Sequence, residues 1–219
     1  MPLDPLQEQI ARTALSLPEA RTLALAGGGA MLAHGFVDRP TKDVDLFTEV
    51  DDQEALQVVV ALREALEKQG INTRDTDRPP LDHRFVAVEP NSGVECTVEV
   101  FADGGRLRGL VTLEIGPVLH PDDLAADKVL ALWDRARPRD YFDVNALLQR
   151  FRPERLLDLA VAKDSGFTAA TFVDSLTAIA RLGPADWAED GVPADVVEQL
   201  RTTFDAWRRQ LTRTGDQGT

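Results

Sequence analysis

Two segments in the first fifty residues constrain the fold more than any others. One is a run of three glycines, and the other, fifteen positions after the middle glycine, alternates acidic and apolar residues as Asp43-Val44-Asp45-Leu46-Phe47. Successive side chains of a strand point to opposite faces, so Asp43 and Asp45 should face the same way while Val44 and Leu46 face the core. The two aspartate Cα atoms should lie about 7 Å apart, which would allow both carboxylates to bind one divalent cation.

The glycines, Gly27 to Gly29, follow a short apolar segment and precede a segment predicted to be helical. Because glycine has no Cβ atom, a phosphate chain can approach backbone N–H groups at such a helix start. A strand with charges on one face also costs solvation energy unless that face is open to solvent or to ions. The aspartate pair alone would fit a solvent-facing edge strand, but the pair and the glycine turn together predict a site for a metal-bound nucleoside triphosphate.

Hydrophobic periodicity divides the chain into two parts. The order αβαβαβββ up to His120 predicts an α+β fold with a small, mixed, largely antiparallel sheet and helices, and only helices are predicted from Pro121 onward. We therefore predict a catalytic domain over 1–120 and a helical domain over 121–219 that completes the active site. The predicted elements are helices over 4–17, 29–34 and 52–68 with strands over 23–26, 44–48, 71–74, 84–89 and 94–101, then helices over 121–136, 138–150, 153–163, 168–181 and 193–212.

Composition excludes several classes of protein. The N-terminal residues lack the pattern of a signal peptide, no apolar run approaches the roughly 18 residues of a membrane span, and the single cysteine, Cys96, permits no disulfide framework. We therefore expect a cytoplasmic protein with no membrane partner. The net charge of −13 argues against a generic nucleic-acid binder. A cluster of arginines between Arg135 and Arg155 offers either a local nucleic-acid contact or salt bridges on helix surfaces.

A site with two metal ions needs a third carboxylate from a neighbouring strand. The predicted strand over 94–101 carries Glu95 and Glu99 on one face, four residues apart. We prefer Glu99, which has a valine on each side, and keep Glu95 as the alternative. This carboxylate would complete the coordination of the metal that activates the attacking hydroxyl, while the aspartate pair holds the other metal against the triphosphate.

A second acidic pair of the same spacing serves as an internal comparison. Asp75 and Asp77 have no alternating apolar residues around them and no glycine turn before them, and Arg78-Pro79-Pro80 follows. We therefore predict a loop without a metal at this pair.

Three segments carry a resemblance to a known family. They are Leu25–Met31, Arg39–Phe47, and Asp127–Leu132 leading to Arg139–Val144. In this order and spacing they resemble the AbiEii/AbiGii-type nucleotidyltransferases, which belong to the DNA polymerase β-like superfamily and include toxins of bacterial toxin–antitoxin and abortive-infection systems. The resemblance covers roughly residues 20–150; the later helices match nothing in it.

The resemblance implies roles for the first two segments. Gly27 and Gly28 would contact the phosphates of the bound nucleotide, and Asp43 and Asp45 would bind Mg²⁺. Two features depart from the family pattern. The third carboxylate is a glutamate where the superfamily usually has an aspartate, and Gly29 adds a glycine that should loosen the turn.

The third segment supplies the remaining residues that the resemblance implies. Lys128 corresponds to the family's lysine and would reach the triphosphate as a point charge. Arg139-Asp140 corresponds to its Arg-Asp element and would take part in nucleotide binding and catalysis. Asp143 lies one turn further along, so that either Asp140 or Asp143 could orient Lys128 or the acceptor hydroxyl.

The sequence thus predicts a Mg²⁺-dependent nucleotidyltransferase, with two metal ions, that moves a nucleoside monophosphate from a nucleoside triphosphate to an acceptor hydroxyl. By resemblance the acceptor would be a tRNA 3′ end and the protein a toxin with a cognate antitoxin. The acidic balance suits an alternative acceptor, a small polycation such as an aminoglycoside-like antibiotic. A further alternative is a nucleotide-binding regulator without catalysis, which loss of the third carboxylate would favour.

Overall fold

The structure is a computed structural model that describes residues 3–77, 83–102 and 105–216. It contains two units, of which the first ends at Leu124 and the second begins at Ala125. The strands are β1 (Ala24–Leu25), β2 (Asp43–Thr48), β3 (Asn72–Asp75), β4 (Arg84–Val88), β5 (Glu95–Ala102), β6 (Val111–Leu113) and β7 (Gly116–Val118). The first helices are α1 (Pro5–Leu15), α2 (Gly27–Ala33), α3 (Asp52–Lys68) and α4 (Pro121–Arg135).

The first unit is built on a seven-stranded sheet in the order β3-β4-β5-β2-β1-β7-β6. The pairs β2–β5 and β1–β7 are parallel and the other neighbours are antiparallel. This confirms the α+β fold with a mixed, largely antiparallel sheet. Strand β2 lies in the interior of the sheet, paired with β1 on one side and β5 on the other, so it places its side chains among those of both neighbours.

Local sequence explains why the elements around β2 form. Val44 and Leu46 are fully buried while Asp43 and Asp45 are half-buried on the other face, which is the alternation that the sequence predicts. Helix α1 begins with a capping box, in which the Asp4 side chain accepts from the Gln7 backbone and the Gln7 side chain accepts from the Asp4 backbone.

Strands β6 and β7 were not predicted. They form a hairpin in which Thr112 pairs with Pro117, and β7 joins the sheet through Leu25 and Val118. A proline cannot donate to a ladder and usually indicates that a segment is not a strand. Here each strand is only three residues long, so the Gly116-Pro117 sequence is tolerated near the edge of the sheet.

The acidic pair used for comparison was predicted to lie in a loop. Asp75 is in fact the last residue of β3, where it forms an ion pair of 2.7 Å with Arg63 of α3. Thr76 and Asp77 follow the strand without regular structure, and Arg78-Pro79-Pro80 lies outside the described residues. No apolar alternation surrounds this pair, in contrast to β2, where buried residues flank both aspartates.

The second unit is helical, as predicted, over the residues that the structure describes. After α4 its helices are α5 (Pro138–Leu147), α6 (Pro153–Lys163), α7 (Ala169–Ala178), α8 (Pro184–Glu189) and α9 (Val197–Asp216). Helix α8 was not predicted, and short 3₁₀ turns end α7 and precede α9, where continuous helices were expected. Aromatic rings fill the core, with Tyr141, Phe172 and Phe204 fully buried. No helix in the described ranges has the length and hydropathy needed to cross a membrane.

Candidate active site

The register between β2 and β5 places the predicted carboxylates together on one face of the sheet. Asp45 lies opposite Glu99, and Asp43 lies opposite Thr97. Because directly paired residues share a face, Asp43, Asp45 and Glu99 project to the same side. On the far side of β5, Arg84 of β4 lies opposite Glu99, so the row continues across a third strand.

Glu99 is buried, with 5% of its surface exposed. Arg84 donates to Glu99 Oε2 through Nε, at 2.9 Å, and through Nη2. The other carboxylate oxygen, Oε1, is buried and has no hydrogen-bond partner among the described residues. Burial raises the pKa of Glu99 above its ordinary value, and the charges of Asp45 and Asp43 act in the same sense, whereas the bond from Arg84 opposes them. A buried carboxylate oxygen beside two more carboxylates is the arrangement expected where a cation binds.

Glu95, the alternative third carboxylate, lies elsewhere on the same face. It pairs in register with Val88, and its side chain is half-exposed in an ion pair of 2.7 Å with Arg74. Both glutamates have an arginine partner, but only Glu99 is buried and lies directly opposite Asp45. The geometry favours Glu99.

The glycine turn packs closely against Asp45 and against Thr41, which lies two positions before β2. Gly27 has a φ of +54°, and a Cβ atom there would lie 1.8 Å from Asp45 Oδ2. A Cβ atom on Gly28 would lie 2.6 Å from Thr41 Oγ1. Both positions therefore require glycine for close approach. We expected Gly29 to loosen the turn, but it packs α2 onto β1, because its Cβ would lie 3.0 Å from Leu25 Cδ1.

The three carboxylates suit a divalent cation without enclosing one. Oxygen donors are the ligands that Mg²⁺ prefers, and the unsatisfied Glu99 Oε1 supplies an acceptor with no other use. Among the described residues, no group of three or more Asp, Glu, His or Cys side chains is arranged so that it could hold a metal ion by itself. Mg²⁺ is usually held by one or two carboxylates together with substrate phosphates and water, so the set fits a metal that arrives with a nucleotide.

The second unit contains Lys128 and the two aspartates predicted to orient it. Lys128 Nζ forms an ion pair of 2.8 Å with Asp143 Oδ2, and both side chains are nearly buried. Asp140 has other partners, because it accepts from the Arg135 guanidinium at 2.8 Å and from the Arg137 backbone N–H at 3.0 Å. The structure thus brings Asp143, and not Asp140, to the Lys128 ammonium, while Asp140 caps the start of α5.

The arginine cluster divides into paired and exposed members. Arg135 pairs with Asp140, and Arg137 pairs with Asp190 at 2.6 Å. Arg150 and Arg152, at the start of the segment that leads into α6, are exposed. Local salt bridges therefore occur at Arg135 and Arg137, and Arg150 and Arg152 are two further cations of the cluster that are exposed to solvent.

Sequence reasoning missed two residues that support the carboxylates. Arg84 was seen only as the first residue of a predicted strand, because its partner Glu99 is identified by register alone. Gln7 is buried in α1 and donates to the carbonyl oxygen of Thr41 at 2.9 Å, which ties α1 to the segment before β2. The capping-box spacing of Asp4 and Gln7 was a signal for the helix start but not for this contact.

Comparisons with known proteins assign this fold to the nucleotidyltransferase class. The model of the AbiEii family, described as nucleotidyl transferase AbiEii toxin of type IV toxin–antitoxin systems, matches residues 11–209. This chain belongs to the AbiEii nucleotidyltransferase toxin family, as the three sequence segments predicted. No protein with a curated function matches it significantly.

Solved structures share the fold at low sequence identity. The chain is similar to MenT4, a nucleotidyltransferase toxin of Mycobacterium tuberculosis H37Rv, with 18% identity and a TM-score of 0.61 over 95% of this chain and 86% of that one. It is also similar to JHP933 from Helicobacter pylori, with 16% identity and a TM-score of 0.56 over 98% of this chain and 97% of that one. At such identities the likeness establishes the fold, and function rests on the family and the site.

Proposed function

We propose that this protein is a Mg²⁺-dependent nucleotidyltransferase that transfers a nucleoside monophosphate from a nucleoside triphosphate to an acceptor hydroxyl and releases pyrophosphate. The observation that carries the proposal is the row of Asp43, Asp45 and Glu99 on one sheet face, where one buried Glu99 oxygen has no hydrogen-bond partner in the part of the chain that the structure describes. Membership of the AbiEii family supports the same chemistry.

In the first unit, the three carboxylates and the glycine turn have different roles in binding the metal ions and the triphosphate. Asp43 and Asp45 would hold the Mg²⁺ that arrives with the triphosphate, and Glu99 would help to hold a second ion. When bound, Mg²⁺ neutralises charge on the phosphates and lowers the pKa of the attacking hydroxyl. Gly27 and Gly28 would contact the phosphates through their backbone, as the family resemblance implies. Catalysis is then largely positioning and charge neutralisation.

For the second unit we propose that Lys128 contacts the triphosphate and that Asp143 holds its ammonium in place. The ion pair of 2.8 Å supports the role of Asp143, and the contact of Lys128 with the triphosphate is what the family resemblance implies. For Arg139 and Asp140 we propose the roles that the family resemblance implies, which are nucleotide binding and catalysis. For Asp140 the contacts to Arg135 and Arg137 point to positioning of α5.

The acceptor that we propose is the 3′ end of a tRNA, which would make the protein a growth-inhibiting toxin controlled by a cognate antitoxin. Assignment to a family of type IV toxin–antitoxin systems supports the toxin and its antitoxin. The exposed Arg150 and Arg152 are the residues that would meet the RNA backbone.

The direct test is transfer of label. Purified protein is incubated with Mg²⁺, each α-labelled nucleoside triphosphate in turn, and total bacterial tRNA, beside an Asp43→Ala, Asp45→Ala variant. Label should enter tRNA only with the intact residues, and the rate should fall at least about a hundredfold in the variant. A variant that removes two exposed acidic residues elsewhere, Asp195→Ala with Glu198→Ala, should retain the rate.

Two results would change the proposal. Transfer to an amino-sugar antibiotic but not to tRNA would replace the acceptor and keep the chemistry. Absence of transfer to either, with nucleotide bound equally by the wild type and the Asp43→Ala, Asp45→Ala variant, would overturn the catalytic assignment.

A further inference from the structure

We propose that Asp190, the residue after α8, is a positioning residue for nucleotide binding, because it holds the start of α5 and with it Arg139. This inference rests on the proposed role of Arg139 in binding the nucleoside triphosphate, and it adds the residue that keeps Arg139 in place. Asp190 lies 53 positions after Arg137 and 51 after Arg139 in the chain. Its side chain is nevertheless buried against them, with only 6% of its surface exposed.

The carboxylate of Asp190 contacts the first residues of α5 in two ways. Its Oδ1 accepts from Arg137 Nη2 at 2.6 Å and its Oδ2 accepts from Arg137 Nε at 3.3 Å, so the guanidinium is held at two points. Oδ2 also accepts from the backbone N–H of Arg139 at 3.4 Å. This N–H belongs to the first turn of α5, where backbone donors have no partner within the helix. Asp190 therefore holds both the residue that precedes α5 and the backbone of Arg139.

The turn before α5 needs such contacts because its backbone is strained. Ala136 has a φ of +47°, and within the described ranges it is the one residue other than glycine with a positive φ. This conformation is disfavoured for residues with a Cβ atom and persists where surrounding contacts impose it. Asp140 supplies one contact from within α5, since it accepts from the Arg137 backbone N–H at 3.0 Å. Asp190 supplies the other contacts from the end of α8.

Helix α8 is itself packed against α5, which gives Asp190 a defined position. Trp187 of α8 is buried and lies near Tyr141 of α5, with ring centroids 6.3 Å apart. The guanidinium of Arg201 in α9 lies over the Trp187 ring, 5.9 Å from its centroid. Movement of Asp190 away from α5 would require this aromatic core to repack. The carboxylate is therefore a fixed support for the first turn of α5.

The first measurement is nucleotide affinity. Non-hydrolysable analogues of ATP, CTP, GTP and UTP are titrated, with Mg²⁺, into wild type, Asp190→Ala and Asp190→Asn. We expect the dissociation constant of the tightest analogue to rise about tenfold in Asp190→Ala, because only the fraction of molecules with α5 correctly placed binds well. Asp190→Asn has nearly the same volume and keeps an acceptor for the Arg139 N–H, so its rise should be smaller, about threefold.

A double-mutant cycle separates positioning of Arg139 from a general loss of stability. If Asp190 acts through Arg139, Asp190→Ala should weaken nucleotide binding by less than about twofold in an Arg139→Met protein. In an Asp43→Asn protein, where a metal ligand is changed instead, Asp190→Ala should keep its full tenfold effect. A merely structural role of Asp190 would give the same factor in both proteins.

Asp186→Ala is the matched control within the same helix. Asp186 accepts from the backbone N–H of Gly183 at 2.7 Å, so it stabilises the start of α8 and makes no such bond to α5. Asp186→Ala should lower the melting temperature and leave nucleotide affinity unchanged. Exchange of the Arg139 backbone N–H with solvent, measured by nuclear magnetic resonance, should become faster in Asp190→Ala and not in Asp186→Ala.

The outcomes distinguish this inference from the proposed transfer reaction. Equal nucleotide affinity of wild type, Asp190→Ala and Asp190→Asn would overturn the role of Asp190 alone. A full effect of Asp190→Ala in the Arg139→Met protein, or unchanged exchange of the Arg139 N–H, would do the same. Nucleotide binding that depends on Asp190 as predicted, in a protein that transfers label to neither tRNA nor an amino-sugar, would support the role of Asp190 and overturn the transfer.

Discussion

At the scale of single residues, the feature that identifies the site is the carboxylate of Glu99, whose burial is energetically unfavourable. One of its oxygens accepts hydrogen bonds from Arg84, the other has no partner among the described residues, and the negative charge of Asp45 lies beside it. An unpaired buried polar atom destabilises a fold, and such groups persist where they bind a ligand. Asp43 and Asp45 could be predicted from alternation together with the glycine turn, and Glu99 was preferred over Glu95 from its flanking valines. The register of β5 against β2, which no local pattern encodes, supports that preference.

The first prediction concerns the stability of a Glu99→Gln variant without metal. Because the pKa of Glu99 is raised in the folded protein, the ionised form is disfavoured there, and the resulting loss of stability begins as the pH rises through the ordinary glutamate pKa and is complete above the folded-state pKa. The amide removes the charge and can still accept from Arg84. Thermal unfolding at pH 8 should therefore show a melting temperature for Glu99→Gln a few degrees above that of wild type, while transfer activity falls at least about tenfold.

The difference in melting temperature should vanish below the ordinary glutamate pKa of about 4.3, where both side chains are neutral. Glu114→Gln, at a side chain that is 97% exposed, serves as the control and should leave the melting temperature unchanged at either pH. A Glu99→Gln variant that melts below wild type at pH 8 would contradict the account of this carboxylate.

At the scale of secondary-structure elements, the sequence predicts what local patterns determine and misses what pairing determines. The helix over 52–68 was predicted at its observed bounds. Its apolar residues recur at helical spacing, acidic residues lie at its start, and Gly70 follows its end. Strands β6 and β7 were missed, because three-residue strands carry little pattern and Pro117 argues against one. Parallel pairing of β2 with β5 joins residues more than fifty positions apart, which no local pattern encodes.

The second prediction concerns the glycine turn and has an internal control. Gly27 and Gly35 both have positive φ, of +54° and +67°, so alanine at either position should cost about 1–2 kcal/mol in the free energy of unfolding. Only at Gly27 would the new Cβ collide with Asp45 Oδ2; at Gly35 nothing lies within 4 Å. Gly27→Ala should therefore lose transfer activity at least about tenfold, and Gly35→Ala should retain it. Denaturant unfolding and transfer assays measure the two effects, and equal activities would show that the turn does not position Asp45.

At the scale of the whole molecule, membership of the family was accessible from sequence because three motifs occur in order and at the expected spacing. The acceptor was not, because a net charge of −13 describes the chain as a whole and not any one surface. In the second unit, ion pairs with Asp140 and Asp190 engage Arg135 and Arg137, and exposed Arg150 and Arg152 remain for a polyanion. Affinity for RNA should therefore depend on few phosphate contacts.

The third prediction concerns the salt dependence of tRNA binding. Arg150→Gln with Arg152→Gln should reduce the slope of log affinity against log salt concentration by about 1.5, since each lost phosphate contact contributes about 0.7–0.9. The matched variant Arg21→Gln with Lys68→Gln removes two exposed cations from the first unit and should leave the slope unchanged. Fluorescence anisotropy at several salt concentrations gives both slopes, and equal slopes for wild type and the Arg150, Arg152 variant would exclude this surface as the RNA contact.

The central claim, that Asp43, Asp45 and Glu99 form a metal site completed by a nucleotide, is tested most directly by Mn²⁺ binding measured by electron paramagnetic resonance. Mn²⁺ is titrated into wild type, Asp43→Asn and Glu99→Gln proteins with and without a non-hydrolysable nucleoside triphosphate. The account predicts weak binding to wild type alone, two tightly bound ions when the nucleotide is present, and loss of at least one ion in each variant. Equal Mn²⁺ binding by wild type and both variants in the presence of the nucleotide would contradict it.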